Sequence, residues 1–266
     1  MQPALPAGAT RRQRIALGAS GNAGTMALVT LSSLRYRIGT MRRERARVEF
    51  YRQFVRRGEL AFDVGAHVGD RTTLLLRTGA RVVAVEPQPA LFQKLGRAFG
   101  EDKRVTLVKE AVGAEPGEAE LRWPGDGLAL GSMSTEWVER VRSSGRFGGE
   151  WENRTVVPVT TLDALIGRYG TPSFCKIDVE GYEEPVLRGL SRPISTISIE
   201  FTPEYLDSTE RALRRLAEIG EYRFDYGIGE SLALVEGHWL SGDELLSRLR
   251  EYDPRSFGDI YACVVD

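Results

Sequence analysis

The sequence is short of the residues from which metal frameworks and disulfide scaffolds are made. It holds two cysteines, Cys175 and Cys263, and two histidines, His67 and His238, in 266 residues. Two cysteines build neither a disulfide framework nor a four-cysteine metal site, and two histidines leave little for a His-rich zinc centre. Lysine is scarce as well: Lys94, Lys103, Lys109 and Lys176 stand against 32 arginines. That bias follows either from base composition or from forked guanidinium groups that recognise phosphate and carboxylate. Neither sign of charge is in excess, with 36 basic and 37 acidic residues, which argues against a protein that coats nucleic acid. Collagen-like, coiled-coil and multi-spanning membrane patterns are absent, and no internal repeat of fixed period is present. What is there, 42% apolar and 27% charged residues, is ordinary globular composition in a chain long enough for a sizeable core.

The balanced charge is a sum of unlike parts. Residues 1–60 carry twelve arginines and three glutamates, a surplus of nine, and the remainder has 24 basic and 34 acidic residues, a deficit of ten. From Ile15 to Leu34 there is no charge at all. Twenty residues is the length of a membrane span, but nine of these are Gly, Ser, Thr or Asn, so no stable span is expected. Thr10-Arg11-Arg12 resembles the start of a twin-arginine signal, yet the apolar run behind it is weak and a small-residue cleavage site is not clear. Residues 1–41 therefore read as a basic, flexible extension, with Met26 and Met41 as alternative starts, and residues 42–266 as the folded domain. Both cysteines fall in predicted strands, as buried free thiols, which suits a reducing, cytoplasmic setting.

From Arg42 the apolar set Val48, Phe50, Tyr51, Phe54 and Val55 follows helical spacing, with Gly58 as a stop. Strands and helices then alternate. Strands are expected at Leu60–Val64, Arg81–Glu86, Val105–Val108, Phe174–Val179, Ile194–Phe201, Tyr222–Tyr226, Leu232–Val235 and Ile260–Val265. Helices are expected at Asp70–Thr78, Pro89–Phe99, Leu162–Tyr169, Tyr182–Leu190, Ser208–Ile219 and Ser241–Arg250. Glu118–Trp123 and Val156–Val159 read as a β-rich excursion, and Gly125–Gly131 and Ser143–Gly149 as flexible loops. Such alternation of near-continuous apolar strands with helices predicts an α/β, doubly wound, mainly parallel sheet.

Two constellations carry chemistry. In Phe62-Asp63-Val64-Gly65-Ala66-His67-Val68-Gly69-Asp70 an apolar strand runs into a two-glycine loop and a helix starts at once. Gly65 permits a tight turn, Gly69 permits close approach of a ligand to the backbone, and the helix start offers free N–H groups. Seventeen residues beyond Gly69 stands Glu86, at a strand end where a carboxylate can take both hydroxyls of a ribose. A dinucleotide loop would be G-x-G-x-x-G, but His67 and Asp70 occupy its second and third glycine positions. Asp63, just before the first glycine, suits a ligand with a cationic end, which points to S-adenosylmethionine. The second constellation is Lys176-Ile177-Asp178-Val179-Glu180-Gly181-Tyr182-Glu183, at the carboxyl end of another strand. Asp178 and Glu180 are two apart and share a face of a regular strand. Two acids there can hold a cation, orient a hydroxyl or accept a proton, or simply cap the following helix.

On these motifs the chain resembles the FkbM family of S-adenosylmethionine-dependent methyltransferases. The resemblance runs from about Phe50 to Val265 and includes Val85-Glu86-Pro87, Thr161-Leu162-Asp163, Val186-Leu187-Arg188-Gly189, Ile197-Ser198-Ile199-Glu200-Phe201 and Phe257-Gly258-Asp259-Ile260-Tyr261-Ala262. It implies a Rossmann-like class I methyltransferase fold of seven strands, the last antiparallel. It implies donor contacts from Asp63, Gly65 and Glu86, with Ala66 and Gly69 in the same loop, and a reaction centre lined by Asp178 and Glu180. The acceptor it implies is a small molecule, a sugar or polyketide-like metabolite, methylated mostly on a hydroxyl and in some members on nitrogen.

A hydroxyl acceptor needs a base, and His67, Asp178 and Glu180 are the candidates; His67 alternatively packs against the methionine part of the donor. Glu110 either meets the adenine amino group or is an exposed acid. Gly131-Ser132-Met133-Ser134-Thr135 either closes over the donor or is a polar surface loop. Glu200 and Tyr205 are placed to face the acceptor, Thr161 to cap a helix, and His238 to be structural. Asp178, Glu180 and Glu200 could supply oxygens to a divalent cation, but nothing in the spacing requires a metal. The rival classes are a nucleotide-binding oxidoreductase and a non-catalytic binding module on a methyltransferase fold.

Overall fold

Leu60-Ala61-Phe62-Asp63-Val64 shows how this sequence makes its sheet. In the computed structural model, which describes residues 43–125, 130–144 and 151–265, all five are buried as strand β1. Phe62 and Val64 enter one core cluster and Ala61 the other, because successive side chains of a strand point to opposite faces. Val83 and Val85 against Val82 and Ala84 do the same in β2 (Arg81–Val85). A strand buried on both sides needs helices on both sides, and that is the arrangement found.

Seven strands lie in the order β3-β2-β1-β7-β8-β10-β9. These are β3 (Val105–Val108), β7 (Phe174–Ile177), β8 (Thr196–Phe201), β9 (Tyr222–Ile228) and β10 (Gly258–Val264) with β1 and β2. The pairings β1–β2, β2–β3, β1–β7 and β7–β8 are parallel. Only β10 runs against its neighbours β8 and β9. The fold is thus a doubly wound α/β sheet of class I methyltransferase topology, its last strand antiparallel.

The described part of helix α1 covers 43–51. Its Phe50 and the following Phe54 pack on Tyr261 of β10, and Tyr51 packs on Phe174 of β7. Fully burying a ring such as Phe50, Tyr51, Phe174 or Tyr261 contributes roughly 1.5–3 kcal/mol, and Phe54 is buried in part. Helices α2 (Asp70–Thr78), α3 (Pro89–Phe99), α5 (Leu162–Tyr169), α6 (Glu183–Arg188), α7 (Leu206–Ile219) and α8 (Gly242–Leu249) follow their strands. Thr161 caps α5 by accepting from Ala164 N–H, and Ser241 with Glu244 forms a capping box on α8. A separate sheet in the order β4-β6-β5 joins Ala111–Val112, Asn153–Thr160 and Gly117–Trp123. It is the expected β-rich excursion, extended by the two-residue β4.

Three features depart from the sequence reading. Residues 232–235 are not a strand: the segment lies irregularly against the outer edge of β9, where Val235 N–H reaches Tyr226 O, and Asp225 accepts from the N–H groups of Glu236 and Gly237. Side-chain acceptance by Asp225 replaces a ladder and still covers the edge. Helix α4 (Thr135–Ser144) stands between the two expected loops. Ser134 starts it by accepting from Trp137 N–H, and Trp137, Val138 and Val141 are buried. A 3-10 turn, Pro203–Tyr205, precedes α7. The expectations for residues 1–41, and the central parts of the two loops at 126–129 and 145–150, lie outside the described residues. Cys175 is buried and Cys263 partly so, both free thiols. No helix among the described residues is long and apolar enough to cross a membrane.

Candidate active site

Parallel strands β1, β2, β3, β7 and β8 all end on the same edge of the sheet, and the crevice beyond such ends is where α/β sheets bind ligands. A cavity of about 260 Å³ lies there. Of the residues singled out from the sequence, it is lined by Gly65, His67, Glu86, Glu110, Asp178, Glu180 and Glu200.

Its floor depends on two turns in close contact. Gly65 has φ +83°, and a Cβ placed on it would sit 1.8 Å from the carbonyl oxygen of Asp178. No other residue fits where the β1 and β7 loops cross. His67 and Glu180 are the two non-glycine residues with positive φ among those described, both at 53°, and both line the cavity. Such backbone strain persists where surrounding structure enforces it, commonly at functional sites. Glu180 is held from outside: Ser132 Oγ donates to its carbonyl at 2.7 Å. Gly181, at φ +82°, leaves room for the Trp137 side chain, which lies 2.3 Å from where its Cβ would be. Helix α4 therefore braces the turn.

Glu86 is buried beyond β2. Its two carboxylate oxygens accept from the N–H groups of His67 (2.9 Å) and Gln88 (2.8 Å), so the loop after β1 and the start of α3 aim it together. Burial pushes its pKa up to about 7, against the lowering effect of those two hydrogen bonds. Gln88 was not singled out from the sequence. It is buried, lines the same cavity, and its Nε2 has no hydrogen-bond partner among the described residues. A buried amide at a strand end, two residues past an acid, was the available signal.

At the other side, Asp178, Glu180 and Glu200 each offer an oxygen, and these lie within 4.8 Å of one another. β7 ends at Ile177, so Asp178 and Glu180 do not share a face by strand alternation as expected; the left-handed turn at Glu180 brings them together instead. Desolvation, reinforced by the charges of Asp178 and Glu180, holds the Glu200 carboxyl well above its ordinary pKa. Glu183 is buried behind the turn, accepts from Val179 and Gly181 N–H groups at 3.2 Å, and is pushed up to about 7 by burial. The three carboxylates are numerous enough to hold a divalent cation, and Asp178 already meets one positive group, Lys176 Nζ at 3.2 Å.

Lys176 is only 1% exposed and also contacts Asp259 of β10 at 2.6 Å. Burial works against its charge, but Asp178 and Asp259 overcome it and raise its pKa well above the ordinary value. Asp259 lies 3.7 Å from Arg71 of α2, which pairs with Glu230 at 2.9 Å, and Glu230 lines the cavity. A chain of alternating charges thus runs beneath the sheet edge. Sequence reasoning assigned Lys176 no role; a charged residue between Cys175 and Ile177 in an apolar strand was the signal.

Several expectations are redirected. Asp63, Ala66 and Gly69 are not among the residues that line the cavity. Asp63 is buried, accepts from Thr72 Oγ1 at 2.5 Å, and has its pKa raised by desolvation. It shares the sheet face of Ala61 and ties α2 to β1. The N–H groups of Gly65 and Ala66 bond to Val85 O, which fastens the loop to β2. The space beside Gly69 is filled by the Phe99 ring, 2.2 Å from a Cβ placed there, so its missing side chain serves the α2–α3 contact. Glu110 lines the cavity with both oxygens held by Arg168. In the Gly131–Thr135 segment, Gly131 and Met133 line the cavity. Tyr205 is buried beside α4, with its hydroxyl near Ser134 and Glu136. His238 is exposed, its Nδ1 against Glu236 O.

Several known proteins are similar to this chain. Hexuronic acid methyltransferase AglP of Haloferax volcanii is 26% identical over 198 residues, 73% of this chain and 75% of that protein. Among solved structures, precorrin-6y C5,15-methyltransferase of Geobacter metallireducens is similar with TM-score 0.42 and 12% identity over 84% of this chain and 86% of that one. A TehB-like SAM-dependent methyltransferase of Corynebacterium glutamicum gives TM-score 0.40 and 13% identity over 90% and 99%. Residues 63–226 match the family described as Methyltransferase FkbM domain. That stretch runs from Asp63 in β1 to Tyr226 in β9, takes in both turns and all the carboxylates of the cavity except Glu230, and covers well over half of the sequence: the chain belongs to the FkbM methyltransferase family.

Proposed function

We propose that the cavity binds S-adenosylmethionine and that the enzyme transfers its methyl group to a hydroxyl of a small molecule, a sugar in the first instance. The observation that carries the reading is convergence: the β1 loop, Glu86 and the Asp178–Glu180–Glu200 group line one cavity at one sheet edge. The donor chemistry fits the side chains. Glu86, anchored by two N–H groups, has lone pairs left for both hydroxyls of a ribose. The Gln88 Nε2, without a partner among the described residues, and the apolar walls from Val85, Leu91, Val112 and Leu121 suit a purine. Acids at the opposite side suit the sulfonium and ammonium of the methionine part.

The donor supplies an already electrophilic methyl group. The task left to the protein is to hold the acceptor oxygen in line with it and remove its proton. Asp178 and Glu180 are the acids best supported as base or orienting groups, because they reach the cavity while Lys176 fixes Asp178 from behind. His67 has its backbone committed to Glu86, and packing against the donor is the role that suits it. The sugar acceptor is supported by the name of the Haloferax relative.

Calorimetric titration with S-adenosylhomocysteine and with NADH tests the reading. Tight binding of the first and none of the second is expected, with binding abolished in Glu86→Ala and retained in Asp178→Ala while turnover falls. Unchanged donor affinity in Glu86→Ala would sink the ribose assignment.

A further inference from the structure

The proposed donor site leaves the basic surplus of the first sixty residues unexplained, and the structure gathers part of it into one place. At the edge opposite the cavity, before the first residues of β1, β2 and β3, lies an open groove of about 630 Å³. Five arginines line it: Arg52, Arg56 and Arg57 from the end of α1 and the turn after it, Arg77 from the last turn of α2, and Arg104 from the residue before β3. All are exposed, and the other lining residues carry no charge. The acids at its rim are Glu49, which pairs with Arg52, Asp102, which pairs with Arg104, and Glu59, which accepts from Arg56 N–H. Arg104 is pinned further by Leu76 O at 3.0 Å. The Arg57 stem lies on Gly79, where a Cβ would come within 2.8 Å of its Cγ. No ion pair engages the guanidinium of Arg56 or Arg57 among the described residues.

We propose that this face docks on an anionic phospholipid surface, with the Arg56 and Arg57 guanidinium groups against headgroup phosphates. Guanidinium forks match phosphate oxygens, and basic residues held near an anionic leaflet are drawn to it. Sequence context selects a bilayer over the other polyanion, nucleic acid. The groove-lining turn at 52–57 follows Arg35, Arg37, Arg42, Arg43, Arg45 and Arg47, and these follow the twenty uncharged residues Ile15–Leu34. A polybasic segment of this kind is drawn to anionic lipid headgroups, whereas the 24 basic and 34 acidic residues beyond position 60 supply no further basic excess to track a nucleic-acid backbone. The placement is also productive: a chain seated by the amino-terminal edge of its strands keeps the cavity at their carboxyl ends facing solvent.

The test is flotation of the full chain with vesicles of phosphatidylcholine alone and of phosphatidylcholine with 30% phosphatidylglycerol. Binding is expected to the anionic vesicles and not the neutral ones, and is lost between 0.1 M and 0.5 M salt as screening tightens. Arg56→Gln/Arg57→Gln is expected to weaken it about 25-fold, about fivefold per charge, with an unchanged thermal midpoint. If that variant unfolds, the salt titration of the unaltered chain decides alone. Equal binding to neutral vesicles, salt-independent binding, full retention in the double variant, or binding to duplex RNA in place of vesicles overturns the proposal.

Discussion

If Glu86 takes the ribose of the donor as proposed, the affinity for the donor depends on pH in a way that can be worked out beforehand. Its carboxyl is desolvated and titrates near 7 in the ligand-free protein. Ribose hydroxyls donate hydrogen bonds, so the ligand requires the ionised form. With a pKa near 7, about one-tenth of the carboxyl is ionised at pH 6 and about nine-tenths at pH 8. S-adenosylhomocysteine is therefore expected to bind about tenfold more weakly at pH 6 than at pH 8, a difference of ~1.4 kcal/mol. At pH 6 its binding should release close to one proton. Calorimetry in two buffers of different ionisation enthalpy measures both quantities. Glu86→Gln, which keeps the shape and removes the titration, should bind weakly with the slope gone. An affinity flat from pH 6 to 8, or a slope that persists in Glu86→Gln, refutes the reasoning.

Other consequences follow from the same geometry. Glu86 and Glu183 both sit near 7 in the folded protein, above their unfolded value of 4.5. Their contribution to stability is full below about pH 4.5 and lost as pH rises through 7, so the ligand-free thermal midpoint should fall between pH 5 and 8, and Glu183→Gln should flatten that fall. Lys176→Met leaves Asp178 and Asp259 without their buried cation and should cost about 3–5 kcal/mol in urea unfolding, with Lys176→Arg recovering part of it. Gly65→Ala drives a Cβ into the Asp178 carbonyl at a left-handed φ. Loss of S-adenosylhomocysteine binding and a drop of several degrees in thermal midpoint are expected.

The sheet was legible because its signals are local. Asp70–Thr78, Pro89–Phe99, Val105–Val108 and Leu162–Tyr169 fall at the residues their patterns predict, the three helices bounded by a glycine, a proline or a cap. Leu232–Val235 misled because a short apolar run marks a covered chain, and a loop pressed on an edge strand is partly covered too. Helix α4 went unseen between two glycine-rich stretches, although Trp137, Val138 and Val141 sit at helical spacing. In the site, the acids Glu86, Asp178, Glu180 and Glu200, which line the cavity, were legible from their place at strand ends, while Gln88 and Glu230 of the same lining were not. Residues whose role depends on what packs behind them were not. Nothing local tells that Phe99 fills the space at Gly69, that Asp63 turns to Thr72, or that Lys176 reaches across β8 to Asp259. Those are long-range contacts that only the assembled sheet creates.

Under the proposed function, the cavity joins donor and hydroxyl acceptor at Asp178 and Glu180. Incubating the enzyme with S-adenosylmethionine carrying a carbon-13 methyl group and a panel of methyl hexosides and hexuronides, then reading the product by NMR, tests it most directly. The expected result is label on a sugar oxygen, lost in Asp178→Ala while S-adenosylhomocysteine still binds. Label on nitrogen or carbon, or transfer undiminished in Asp178→Ala, contradicts it.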